Sequence, residues 1–168
     1  MNDLFDSATI QNELLVLARV AGAMLLGALI GTEREVAQRP AGLRTHMLVS
    51  GASALLTSLG LGLVTSFDAQ TGGDVLRADP IRVIEAIVTG IAFLGAGTIL
   101  RSGPDDITGL TTAASLLLSA SIGISAALSR WVLAVGIVVL ALATLFLVRH
   151  LERPLGKKSG GPESQTDD

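Results

Sequence analysis

The sequence predicts an all-α fold, a polytopic membrane protein built as a bundle of five transmembrane helices, and three observations carry that prediction. Of 168 residues, 49% are hydrophobic and only 16% charged, a balance too oily for an ordinary soluble domain. The apolar residues fall into long runs, while the charges gather at the ends and in short connections. Runs this long and uniform suit helices rather than barrel strands, because a span in lipid must satisfy its own backbone hydrogen bonds.

A helix needs about 20 residues to cross a hydrocarbon core, with a usual range of about 17 to 25. The first run, Leu14 to Ile30, carries Arg19 and follows an N-terminal segment, residues 1–13, that has no Lys or Arg. It therefore reads as a retained span rather than a signal peptide. Gly31 to His46, GTEREVAQRPAGLRTH, then interrupts the apolar character with Glu33, Arg34, Glu35, Arg39 and Arg44. An apolar run that stops on charges and restarts beyond them predicts a helical hairpin, with Met47 to Val64 as its second arm. Asp68 to Pro80, with Gly72, Gly73 and three aspartates, reads as the longest loop. The third run, Ile81 to Leu100, carries Arg82 and Glu85. The fourth, Leu110 to Leu128, meets the fifth, Trp131 to Val148, through little more than Ser129 and Arg130. These last two must be antiparallel neighbours, with Trp131 where an interfacial aromatic belongs. The domain plan is thus an external segment 1–13, a transmembrane domain 14–148 and a disordered tail 149–168 of Gly, Ser and charge.

Orientation follows from Lys and Arg in the short connections. Arg34, Arg39, Arg44, Arg101, Arg149, Arg153, Lys157 and Lys158 share one side if five spans alternate. That side is expected to be the cytoplasm, with the N-terminus outside and the C-terminus and the Gly31 to His46 loop inside. Packing without a hydrophobic driving force needs small residues. Ala23, Gly27 and Gly31 recur every four residues on the first helix, as do Ser115, Ser119, Gly123 and Ala127 on the fourth. They predict packing seams within the chain or in a dimer, in preference to a pore lining.

Several classes of chemistry drop out. There is no cysteine, which removes disulfides, thiolate metal sites and thiol nucleophiles. No basic stripe exists to neutralise phosphates, so no nucleic-acid partner is expected. The two histidines, His46 and His150, lack zinc-protease spacing, and no nucleophilic triad can be assembled. Gly95-Ala96-Gly97 lacks the strand and lysine of a phosphate loop and reads as close packing or a kink. The chain is expected not to be an enzyme and to need no cofactor, with Mg2+ as an open possibility.

The ionisable residues inside spans pose the sharpest question, since each costs at least about 2.5 to 3.5 kcal/mol unless paired or hydrated. Arg82 and Glu85, three apart on one face, predict an ion pair near the outer interface. The functional reading makes Glu85 a proton or cation site with Arg19 as its partner across the bundle. Glu33 and Glu35 would diverge on a helix, a weak Mg2+ site, so a juxtamembrane salt-bridge cluster is preferred. Asp105 and Asp106 are expected to cap the fourth helix.

Four stretches then point to a family. GALIGTERE from Gly27 to Glu35, RPAGLRTHMLV from Arg39 to Val49, DPIRVIEAIVTGIAFLGAGTIL from Asp79 to Leu100 and GLTTAAS from Gly109 to Ser115 resemble the MgtC/SapB family of bacterial inner-membrane proteins. The resemblance runs from about Arg19 to Val148. It implies a five-span domain in the bacterial inner membrane, a link to growth under magnesium limitation and to virulence, and a regulatory contact with the membrane sector of the ATP synthase. It implies no catalytic residues. The motif positions it carries over are Gly31, Glu33, Arg34, Gly42, Arg44 and Thr45 in the first loop, Gly90, Phe93, Gly95 and Gly97 in the third span, and Gly109, Leu110 and Thr112 before the fourth. Three departures stand out: Glu85 where the family usually has Gln, Ala92 for a usual glycine, and Thr108 for a common basic residue. The short tail is also expected to leave no room for the ACT-like domain that many members add.

Two functions therefore compete. The leading one is a non-enzymatic regulator, embedded in the lipid bilayer as a homo-oligomer with a dimer favoured, acting through helix contacts with a membrane complex such as the ATP synthase. The alternative is a small oligomeric Mg2+ or proton channel or transporter, with Arg19 and Glu85 in its path. A lipid-active enzyme is a distant third, since the Glu33 to Arg44 segment alone offers a polar cluster and no nucleophile and base pair is present.

Overall fold

The computed structural model of the chain describes residues 7–71, 79–101 and 107–155. Five helices follow one another: α1 Ser7–Val36, α2 Leu43–Thr71, α3 Pro80–Gly97, α4 Leu110–Ala127 and α5 Trp131–Leu155. Between α3 and α4 two short strands, β1 Leu100–Arg101 and β2 Ile107–Thr108, pair antiparallel with Leu100 opposite Thr108. The helices α1 to α4 are long and apolar enough to cross a membrane, and α5 carries the apolar stretch Trp131–Leu147 among the described residues.

The surface confirms the class. Leu25, Phe93, Val132 and Leu140 are exposed, whereas His46, Ser50, Ser53, Thr57, Thr112 and Ser119 are buried. This inversion is what a bundle solvated by lipid requires, because interhelical polar groups find partners inside and Leu costs nothing outside.

Helix ends explain where the spans stop. Asp79 caps α3 by accepting a hydrogen bond from the Ile81 N–H at 2.9 Å, with Pro80 in the first turn, a position where a missing N–H is harmless. The third helix ends at Gly97 rather than Leu100, because Thr98 turns back to the Gly95 carbonyl and Leu100 joins β1. At the end of α1, Arg39 N–H reaches the Arg34 carbonyl and Gln38 N–H the Glu35 carbonyl, with Gln38 left-handed at φ 53°. Arg130, Ser129 and Ser125 repeat that arrangement after α4. Both are Schellman closures, which satisfy the last carbonyls and turn the chain sharply.

Two expected loops shrink. Gly31 to Val36 belongs to α1 and Leu43 to His46 to α2, so the charged connection is only 37–42. The helix α2 also runs on to Thr71, and 72–78, the remainder of the expected long loop, lies outside the described residues. The helix α5 continues to Leu155, and the rest of the expected tail lies outside the described residues as well. Asp105 and Asp106 share that position, and the residue that caps α4 is Gly109, without any side-chain cap.

The packing centre is α2 against α1 and α4, with α3 and α5 on the flanks. Small residues make it: Ala23, Ala54, Ala126 and Ala127 form one buried cluster, and Ile30 and Ile122 meet Ala134, Val138 and Ala141 of α5 in another. The two predicted stripes are seams within the chain. A Cβ at Gly27 would lie 2.6 Å from the His46 carbonyl oxygen, and one at Gly123 would collide with the Ser50 carbonyl. Across the same seam the Ser50 hydroxyl donates to the Ala23 carbonyl at 2.8 Å.

Candidate functional site

At the end of the bundle where α1 turns into α2, the first-loop motif and the Gly-Leu-Thr motif before α4 come together. Glu33 and Arg34 sit on the last turns of α1 and are buried, at 7% and 4% exposure. The Arg34 Nη2 donates to the Thr112 hydroxyl of α4 at 3.0 Å, joining residues far apart in sequence. Arg34 Nε is buried and has no hydrogen-bond partner among the described residues.

Glu35 takes a different direction. Its carboxylate accepts from the Leu43 N–H at 2.8 Å and so caps α2 from the neighbouring helix, a charge-assisted bond at a helix N-terminus. Gly42 lies against that carboxylate, and Gly31 lies against the backbone of Leu43 and Gly42, which leaves no room for a side chain at Gly31. The divergence of Glu33 and Glu35 follows from helix geometry, and among the described residues no cluster of acidic or histidine side chains could hold a metal ion.

One level deeper, His46 is fully buried. Its Nδ1 lies 2.9 Å from the Gly42 carbonyl and its Nε2 3.0 Å from the Ser115 hydroxyl. A carbonyl can only accept, so Nδ1 carries a proton and donates to Gly42; the Ser115 hydroxyl that meets Nε2 also lies 2.9 Å from the Thr112 carbonyl, to which it donates. His46 thereby ties α2 to α4 directly beneath Arg34. The pairing of His46 with Ser115 is not visible in the sequence; the available signal is a histidine four residues after Gly42, at the edge of the second apolar run.

Gly109 is the hinge of this end. It is left-handed at φ 92°, and a Cβ there would collide with the Thr98 carbonyl, so only glycine can turn the strand into α4. Between the 37–42 connection and the start of α4 opens a cleft of about 460 Å3, whose wall includes Glu33, Arg34, Arg39, Gly109, Thr111 and Thr112. Leu110, Arg44 and Thr45 are exposed outside it.

The remaining candidates lie elsewhere. A Cβ at Gly95 would lie 3.2 Å from the Cβ of Ala113 of α4, whereas Gly90 and Gly97 have open space above them and Phe93 is 80% exposed. Gly90 lies in an apolar groove of about 650 Å3 between α2 and α3, walled by Ala52, Leu56, Ile87, Ile91 and Leu94, with Arg82 at one end. Arg19 is not a partner of Glu85: its Nη1 reaches the Ala127 carbonyl at 3.3 Å, a cation at the C-terminus of α4 where the helix dipole favours one. Arg82 and Glu85 are both exposed and form no ion pair with each other. Trp131 rests its ring on Gly22 of α1.

Comparison with known proteins bears on the same region. The family model described as the MgtC family matches residues 20–154. An uncharacterized protein of Haemophilus influenzae is 35% identical over 148 residues, covering 88% of this chain and 61% of that protein. Protein MgtC of Salmonella typhimurium strain LT2 is 43% identical over 129 residues, 76% of this chain and 50% of its own length. Protein SapB of Bacillus subtilis strain 168 is 34% identical over 110 residues, 66% of this chain and 46% of its own. The chain thus spans about half to three-fifths of the length of the curated relatives it matches. No solved structure matches it.

Proposed function

The chain belongs to the MgtC family, a multi-pass membrane family not known for enzymes, and from that premise we propose that it is a non-enzymatic regulator of a membrane complex in the bacterial inner membrane. The partner that the family resemblance implies is the membrane sector of the ATP synthase, and the setting is growth under magnesium limitation and, in pathogens, virulence.

The observation that carries this reading is the groove between α2 and α3. A helix of a partner needs an apolar face with small residues at its base, since close backbone approach drives association in lipid. Gly90 supplies that base with nothing within 4 Å, beside Leu94 and Ile91. The glycines of α1 and α4, by contrast, are consumed inside the chain at Gly27 and Gly123, while the groove between α2 and α3 stays open.

A photo-crosslinking residue in place of Leu94, which is 53% exposed, tests the reading. The expected result is an adduct with a membrane subunit of the ATP synthase that disappears when Gly90→Leu fills the groove. Adducts with lipid alone, in cells that contain the synthase, would count against it.

A further inference from the structure

Apart from that groove, the buried link between α2 and α4 has the chemistry of a proton receptor. We propose that His46 is a proton-binding site, at which Nε2 of the ring takes up a proton and holds it against the Ser115 hydroxyl oxygen.

The protons of a neutral link do not suffice for its contacts. Nδ1 lies 2.9 Å from the Gly42 carbonyl, which can only accept, so one ring proton is committed there. The Ser115 hydroxyl has one proton and two neighbours, the Thr112 carbonyl at 2.9 Å and His46 Nε2 at 3.0 Å. With that proton on Thr112, Nε2 of a neutral ring faces the lone pairs of the Ser115 oxygen, acceptor against acceptor. A second ring proton completes the set: Nδ1 donates to Gly42, Nε2 to Ser115, and Ser115 to Thr112. With the hydroxyl turned to Nε2 instead, the same heavy atoms suit the neutral ring. Both charge states therefore fit one packing, and passing between them turns a single O–H bond.

Burial makes these acceptors necessary. His46, Thr112 and Ser115 are all buried, and a cation withdrawn from water is tolerable only where its donors are bonded. Both N–H groups of the imidazolium are, and its charge strengthens the bond to Ser115. Arg34 and Glu33 of α1 act on the ring with opposite sign, the guanidinium against a cation and the carboxylate in favour of one. The helix α4 carries no charged residue, and Arg44 on α2 is exposed. Arg82 and Glu85 of α3 flank Val83 and Ile84, and Val83 packs at Gly60, about four turns along α2 from His46. Protons enter from the cleft, whose wall includes Thr112, with Ser115 one turn deeper on α4. Further along the seam the Ser50 hydroxyl donates to the Ala23 carbonyl and that of Thr57 to the Ser53 carbonyl. The site therefore stores a proton rather than conducting one.

The test uses the full chain in nanodiscs, labelled with 15N in its histidines and carrying His150→Gln so that one imidazole remains. Ring 15N spectra are recorded from about pH 8 to about pH 5, the range in which histidine switches charge, while fluorescence of the single tryptophan, Trp131, shows that the fold persists. The expected result is an Nδ1 that stays protonated throughout and an Nε2 that gains a proton as the pH falls. Ser115→Ala removes the acceptor and is expected to lower the proton affinity of Nε2 by about tenfold or more, the loss that goes with a hydrogen bond to a charged group. Where Ser115→Ala does not fold, Ser115→Cys, a weaker acceptor of similar shape, reads the same loss. An Nε2 that stays bare across the range in the folded chain, or one that titrates alike with and without the Ser115 hydroxyl, overturns the proposal.

Discussion

Single residues in this chain have separable duties, and the separation can be measured. Gly109 is left-handed and pressed against the Thr98 carbonyl, while Gly97, at the end of α3, has open space. Gly109→Ala should lower stability by about 1 to 3 kcal/mol, the range for a residue forced into a disfavoured backbone region. Gly97→Ala should be close to neutral. The single tryptophan, Trp131, seated on Gly22, reports both unfolding midpoints by fluorescence. Glu35→Ala should cost about 1 kcal/mol through loss of the α2 cap, read as a lowered midpoint in the same assay. The split between Glu33 and Glu35 was legible in the sequence, because residues two apart on a helix point away from each other. The use of Glu35 was not, since its partner, the Leu43 N–H, is named only once the hairpin closes. Arg19 was misread for a related reason: an arginine in a span needs an acceptor, but the sequence offers the carboxylate of Glu85 more visibly than the backbone carbonyl of Ala127.

At the level of helices, the number and order of elements could be read from the apolar runs, and the ends could not. Hydropathy reports where lipid stops, whereas a helix stops where its last carbonyls find other donors. Hence α1 reaches Val36 through its charged turn and ends on a Schellman closure, and α2 continues past its apolar run to Thr71. The small-residue stripes were legible as seams, and the structure makes them internal. Gly27→Leu or Gly123→Leu should therefore destabilise the folded chain, by about 1 to 3 kcal/mol or more for overpacking, and should yield aggregated protein on size-exclusion chromatography. Gly90→Leu, with nothing within 4 Å of its Cβ position, should elute as the wild type does. A Gly90→Leu variant that aggregated like Gly27→Leu would mean that the α2/α3 groove is closed.

Taken as a whole, the molecule is a tight α1/α2/α4 centre with a lightly packed α3 on one side. The first-loop and Gly109 motifs lie far apart in sequence and meet at one end of the bundle through the Arg34 to Thr112 bond. That meeting was beyond the reach of sequence reading, which could place each motif on its helix without knowing which helices touch. The whole-molecule question is whether the chain conducts or regulates. Reconstituted in sealed liposomes, it is expected to give no Mg2+ or proton flux above empty vesicles. Flux that vanishes in Glu85→Gln would make it a conductor with that acid in its path.

The most direct measurement of the central claim is ATP synthesis by inverted inner-membrane vesicles, with and without the chain and with its Gly90→Leu variant at equal abundance. Regulation through the α2/α3 groove predicts that the wild-type chain lowers the rate and that Gly90→Leu restores it. An unchanged rate with the wild-type chain, or equal inhibition by the variant, would contradict the account.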